Sequence, residues 1–250
     1  MSDIHVKSCS ESAVDCVHIH SRDEAVRLCG DGSATAMAMR GAERAMSVQT
    51  VAALYVQPGG VYYGIEGVEP WGLPERDARE YAGPWPVVAH PPCGAYSRLR
   101  HLHSRDDADC ALVAVQQVRW FGGVLEQPAY SQLWKVAQLP PPNGLPDEHG
   151  GYSLELCQVE WGHVARKRTW LYCVGVPRTR LEPPFPGRQP THWCSGFRSS
   201  TSRTPSRYKS NGCAVPPGIK VCSSHQRAAT PPAFRDLLIA MARSARKDAS

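Results

Sequence analysis

The sequence predicts an α/β protein: a mainly parallel sheet with flanking helices and a small irregular region. Two features predict it. Short apolar runs alternate with stretches of helical periodicity, the pattern of strand–helix–strand units. The runs stop abruptly at glycine or proline, and the 21 Gly and 22 Pro in 250 residues supply the turns such units need. A hydrophobic content of 42% against 20% charged residues is that of a chain that buries a core.

Residues 51–56 (VAALYV) form the first apolar run and lead into a glycine-rich turn with Pro58, Gly59, Gly60 and Gly64. Residues 86–90 (PVVAH) form the second, stopped by Pro91 and Pro92. Residues 106–120 carry Ala108, Leu112, Val115 and Val118 at helical spacing. Residues 122–128 (GGVLEQP) and 169–175 (TWLYCVG) read as the third and fourth strands. A helix is expected over 231–246, with Thr230 as N-cap, Pro231 in the first turn, and Phe234, Leu237, Leu238 and Met241 as its apolar stripe.

Four regions follow: an N-terminal arm (1–45), a catalytic domain (46–175), a short basic recognition region (176–226) and a C-terminal helix (227–250) packing back on the catalytic domain. Met46 opens a stretch that reads like a natural start, so 1–45 is expected to be a loose arm or an upstream extension. Its His5, Cys9, Cys16, His18 and His20 are ligand types that could bind zinc, although their spacing matches no standard finger. The formal charge of +5 is compatible with a nucleic-acid partner without requiring one. No run approaches the ~18–20 apolar residues of a membrane span, and the first residues lack the apolar core of a secretory signal. The ten cysteines are then expected to be free, catalytic or metal-binding in a reducing compartment.

In a parallel sheet the chemistry gathers past the carboxyl ends of the strands. Gln57–Gly60, Pro91-Pro92-Cys93 and Glu126-Gln127-Pro128 all fall there. Two prolines brace Cys93 and Gly94 permits close approach, which suits a nucleophile. Glu126, directly after an apolar run, is expected to be desolvated and raised in pKa, as a general acid needs. Arg166, Lys167 and Arg168 put three cations before the last strand. Between 176 and 226, Arg198, Arg203, Arg207 and Lys209 are interleaved with aromatic residues, a pattern suited to phosphate contact and base stacking. Arg98, Arg100 and His90 are the cations nearest Cys93 in sequence and are expected to lower its pKa.

The order of glycine turn, Pro-Pro-Cys, Glu-x-Pro and an arginine-rich loop entering a strand resembles the DNA (cytosine-5) methyltransferase family. The chain is also similar to small methyltransferase-like proteins of phages and prophages. The resemblance covers about residues 50–240. It implies a Rossmann-like methyltransferase fold, S-adenosylmethionine as cofactor, double-stranded DNA with a flipped cytosine as partner, and the cytoplasm of a bacterium or phage-infected host, with a monomer expected. Cys93 takes the nucleophile position and Glu126 that of the acid at ring nitrogen 3. Arg166 and Arg168 match the arginine motif that steadies the base oxygen. Pro58, Gly59, Gly60, Gly64, Glu69, Pro91 and Asn211 correspond to cofactor contacts, and Arg98, Arg100, Arg198, Arg203, Arg207 and Lys209 to DNA contacts. The first loop departs from the family's Phe-x-Gly-x-Gly. The stretch from it to Cys93 holds little more than one strand–helix unit, with Glu66, Glu69 and Asp77 as the acids available for the cofactor ribose. Two other readings share the same residues: a relative acting on a cytosine nucleotide, and a DNA-binding accessory protein without catalysis. No metal is expected in the active site; a zinc protein using His192, Cys194, Cys213, Cys222 and His225 is the remaining rival.

Overall fold

The computed structural model describes residues 48–97, 107–194 and 218–246, together with the backbone of 4–7 and 16–19. The chain divides into two units, 1–48 and 49–250. In the first, strands β1 (Ile4–Lys7) and β2 (Cys16–Ile19) pair antiparallel, with His5 opposite His18 and Lys7 opposite Cys16.

The second unit is α/β with a mostly parallel six-stranded sheet. Its strands are β3 (Val51–Leu54), β4 (Val68–Trp71), β5 (Val87–Ala89), β6 (Gly123–Pro128), β7 (Tyr152–Cys157) and β8 (Arg168–Val174), in the order β4-β3-β5-β6-β8-β7. The pairs β3·β4, β3·β5 and β5·β6 are parallel, and β8 alone runs against its neighbours β6 and β7. A mainly parallel sheet is the expectation from the sequence, and three of the five pairings follow it. The reversal arises because β7 and β8 are joined through the short 3₁₀ turn Gln158–Trp161, too brief for a crossover helix.

Two strands escaped the sequence reading. β4 reads VEPW, with a glutamate and a proline, and it lies at the sheet edge, where proline is tolerated. β7 occupies the opposite edge, with its buried residues confined to Tyr152 and Ser153 at one end.

Strand alternation distributes side chains to two cores. Val51, Ala53, Val88, Val124, Leu171 and Cys173 face one layer, where they meet Phe234, Leu238, Met241 and Ala242 of the C-terminal helix α4 (Pro232–Ser244). Ala52, Leu54, Val87, Ala89, Leu125 and Tyr172 face the other, against Ala111, Ala114, Val115 and Val118 of α1 (Ala108–Phe121). Burial on both faces is what makes these strands short continuous apolar runs. Gly122 ends α1 with a positive φ of 74°. At Gly123 a Cβ would lie 2.0 Å from the Val87 carbonyl oxygen, so only glycine lets β6 start beside β5.

Shorter elements complete the unit: α2 (Leu133–Val136), the parallel pair β9 (His192–Trp193) and β10 (Lys220–Val221), and α3 (Ser224–Ala228) with a capping box from Ser223 and Gln226. Among the described residues no helix is long and apolar enough to cross a membrane.

Candidate active site

Three segments meet past the carboxyl ends of β3, β5 and β6. The turn after β3 closes with the Gly60 amide donating to the Gln57 carbonyl at 2.9 Å. It delivers Tyr62, whose hydroxyl lies 2.7 Å from His90 Nε2, just past β5. On its other side, His90 Nδ1 is 3.2 Å from Glu126 Oε2 in β6. Gln158 Nε2 then donates to Glu126 Oε1 at 3.2 Å and to Thr169 Oγ1 at 2.9 Å. A carboxylate accepts only, so Nδ1 carries the proton toward Glu126 and, in the neutral ring, Nε2 accepts from Tyr62. The chain Tyr62–His90–Glu126–Gln158–Thr169 thus ties three strand ends and the 3₁₀ turn 158–161 into one polar network. Gln158 Oε1 is buried and has no hydrogen-bond partner among the described residues.

The Pro-Pro-Cys loop is held from beneath. The buried Gln127 donates through Nε2 to the Pro91 carbonyl at 2.6 Å, and its Oε1 accepts from Ser131 at 3.3 Å. Cys93 follows with φ −89° and ψ −6°, opening a 3₁₀ turn over Gly94–Tyr96. The residue is exposed, yet protein around the sulfur desolvates its thiolate. That burial, and the charge of Glu126, push the thiol above its ordinary value, against the pull of Lys167. For Glu126 burial also acts upward, but the bond from His90, the charge of Lys167 and the bond from Gln158 outweigh it and hold the carboxyl below the usual range. Both directions reverse the sequence expectations of a raised acid and a lowered thiol. Glu126 is buried among donors rather than among apolar groups alone, and its charge faces the thiol.

The cation beside Cys93 and Glu126 is Lys167, not an arginine. Alternation along the chain entering β8 explains this. Lys167 and Thr169 turn toward Glu126, whereas Arg166 and Arg168 turn away. Arg168 donates through Nε to Glu155 Oε1 at 2.6 Å and lies 4.9 Å from the ring centroid of Tyr130. Arg166, Arg168 and Arg188 line a separate cleft of about 430 Å³ with Glu155, Cys157 and Glu160, which neither Cys93 nor Glu126 borders.

The expected cofactor contacts fit in part. The turn carrying Pro58, Gly59, Gly60 and Gly64 stands beside the network, with open space around Gly59 and Gly64. Glu69 does not reach past its strand end: it pairs with Ala52 in register and is held by an ion pair with Arg76. Trp71 at the end of β4 instead offers a buried indole nitrogen without a partner among the described residues. The Pro91 carbonyl is occupied by Gln127. Arg98, Arg100, Arg198, Arg203, Arg207, Lys209, Asn211 and Cys213 lie outside the described residues. Of the rival zinc set, Cys194 and Cys222 come together at 3.5 Å, but no group of three or more potential ligands is found among the described residues.

Sequence reasoning missed Tyr62, Gln158 and Lys167 as members of the site, and weighed His90 only as a charge. His90 carried a signal, a histidine directly after an apolar run; Tyr62 and Gln158 carried none. In comparison with known proteins, the chain matches no family model and no curated protein.

Proposed function

We propose that this chain is a small DNA cytosine-5 methyltransferase with a Rossmann-like methyltransferase fold, acting through a covalent bond from Cys93 to the base. The observation that carries the reading is a thiol on a proline-braced loop and a buried, hydrogen-bonded carboxylate, at the ends of two adjacent parallel strands. This combination suits addition to a ring that must gain a proton as it is attacked. The mostly parallel strand order is compatible with a Rossmann-like sheet.

The directions of the two pKa shifts give the resting pair one proton, on Cys93. With a cytosine flipped into the site, that proton passes to Glu126 as the Cys93 sulfur bonds to ring carbon 6. The ring's electron pair moves toward nitrogen 3, and Glu126 delivers the proton there. Lys167 favours the thiolate and balances charge on the ring oxygen. The unpaired Gln158 Oε1 is an acceptor for the exocyclic amino group that distinguishes cytosine from thymine and uracil. The turn 57–64 and Trp71 would hold S-adenosylmethionine, which supplies the methyl group for carbon 5. A base then takes the carbon 5 proton, the ring double bond re-forms as the Cys93–carbon 6 bond breaks, and the nitrogen 3 proton returns through Glu126 to the leaving thiolate.

The test is mass spectrometry of nucleosides from DNA of cells expressing the wild type or Cys93→Ser. The expected result is 5-methylcytosine with the wild type alone; no excess over the variant sinks the reading. A second reading, a relative that binds DNA without methylating it, is favoured by the Glu69–Arg76 pair, which takes the expected ribose acid. Titration with S-adenosylmethionine separates the two, because a flat isotherm supports the second.

A further inference from the structure

We infer that Cys194 and Cys222 form a reversible disulfide that staples β9 to β10. It goes beyond the methyltransferase reading and does not depend on it. In the β9·β10 pair, His192 faces Lys220 and Trp193 faces Val221. One step further along this parallel register stand Cys194 and Cys222, and the Cys222 amide donates to the Trp193 carbonyl at 3.0 Å. Facing residues on neighbouring strands are about 5 Å apart at Cα and project to the same side, inside the range a disulfide requires. The sulfurs are 3.5 Å apart already. Closing to a covalent bond therefore needs a side-chain adjustment and no backbone rearrangement.

The chemistry is thiol–disulfide exchange with a small oxidised thiol such as oxidised glutathione. Cys194 is half-buried and Cys222 is buried, so Cys194 meets the oxidant first. Its thiolate attacks one glutathione sulfur and expels the other as a thiol, leaving a mixed disulfide. Cys222 then attacks the Cys194 sulfur and expels the second glutathione. Two protein thiols are oxidised and one glutathione disulfide is reduced. Burial and the neighbouring Cys222 sulfur push the Cys194 thiol up to about 12. Oxidation is accordingly slow at neutral pH and accelerates with pH, roughly tenfold per unit. The bond covalently joins positions 28 apart in sequence and so closes the segment 195–217, which contains Arg198, Arg203, Arg207 and Lys209.

The experiment uses the full chain in mixed reduced and oxidised glutathione, with free thiols then blocked by iodoacetamide. Tryptic peptides are mapped without reduction. The expected product joins the peptide 189–198 to the peptide 221–227, two hydrogens lighter than their sum, and dithiothreitol reverses it. Cys213→Ala protein gives the same product, and Cys222→Ser leaves Cys194 as its glutathione adduct. The inference is overturned by alkylation of both Cys194 and Cys222 in fully oxidising buffer, or by linkage of either to Cys213 or Cys93.

Discussion

At the scale of single residues, the site is an arrangement of opposed charges around one thiol. Glu126→Gln removes the negative neighbour that helps raise Cys93, so alkylation of Cys93 by iodoacetamide at pH 8 should become roughly three- to tenfold faster, while Lys167→Met should slow it. Quantitative peptide mapping of the Cys93 adduct reads both; equal rates in all three proteins would refute the electrostatic pairing. If the chain methylates cytosine, the same Glu126→Gln change should lower turnover by about 10²–10⁴, the usual worth of a positioned proton carrier. Gln127 acts on the thiol at one remove. Gln127→Leu leaves the Pro91 carbonyl without its donor and the Ser131 hydroxyl without its acceptor in a buried place, and should cost about 1–3 kcal/mol in urea unfolding. Cys93 and Glu126 were legible in the sequence because each follows an apolar run that ends abruptly. Lys167 was hidden between two arginines. Which of three consecutive cations faces the thiol depends on the phase of the chain entering β8, and that phase is set by pairing with β7, where Cys157 meets Arg168.

At the scale of elements, the clearest dependence is the anchoring of α3. The buried His163 accepts from the Ala165 amide through Nδ1 at 3.0 Å, and its Nε2 lies 2.9 Å from the Gln226 carbonyl, the distance of a donated bond. Burial holds its pKa below the ordinary value, against the pull of the Ala165 carbonyl, 3.0 Å from Nδ1, and the Gln226 carbonyl, 2.9 Å from Nε2. The folded state therefore keeps the ring neutral while the unfolded chain takes up a proton. This contribution to stability is complete above about pH 6.5 and is lost as pH falls toward the lowered folded-state pKa. Thermal unfolding between pH 5 and 8 should show this slope in the wild type, and a flatter profile with an overall loss of about 1–3 kcal/mol in His163→Ala. An unchanged slope would assign the pH dependence to other groups. The α4 helix also positions the site from outside: Arg235 donates from Nη1 to the Val61 carbonyl at 3.0 Å and so fixes the turn that carries Tyr62. The central strands and both long helices were readable from apolar period, since each is buried by the face or stripe its sequence displays. The edge strands β4 and β7 were not, because an edge position relaxes the very pattern used to find strands.

At the scale of the molecule, the second unit is a sheet with a separate core on each face. Phe234 and Leu238 are fully buried in the α4 layer. Phe234→Ala should destabilise by about 3–5 kcal/mol and Leu238→Ala by about 2–5 kcal/mol. The loss should appear in unfolding free energy rather than in Cys93 alkylation, since α1 and the opposite core remain. A variant that kept wild-type stability would show that α4 does not seal that face. By itself the sequence determined the α/β class, the strands that lead to Cys93 and Glu126, and the helix that closes the C-terminal side, because those features are local: apolar period and proline and glycine stops; the N-cap it offered, Thr230, is not the one used, since Pro231 stands there without a side-chain bond. Only the tertiary structure decided that β8 is reversed, that Lys167 stands by the thiol while Arg168 serves Glu155, that Tyr62 and Gln158 complete the network around Glu126, and that Cys194 meets Cys222. Each depends on strand register or on contacts between residues far apart in the chain, and a one-residue shift of register, invisible in composition and spacing, exchanges which side chains face the site.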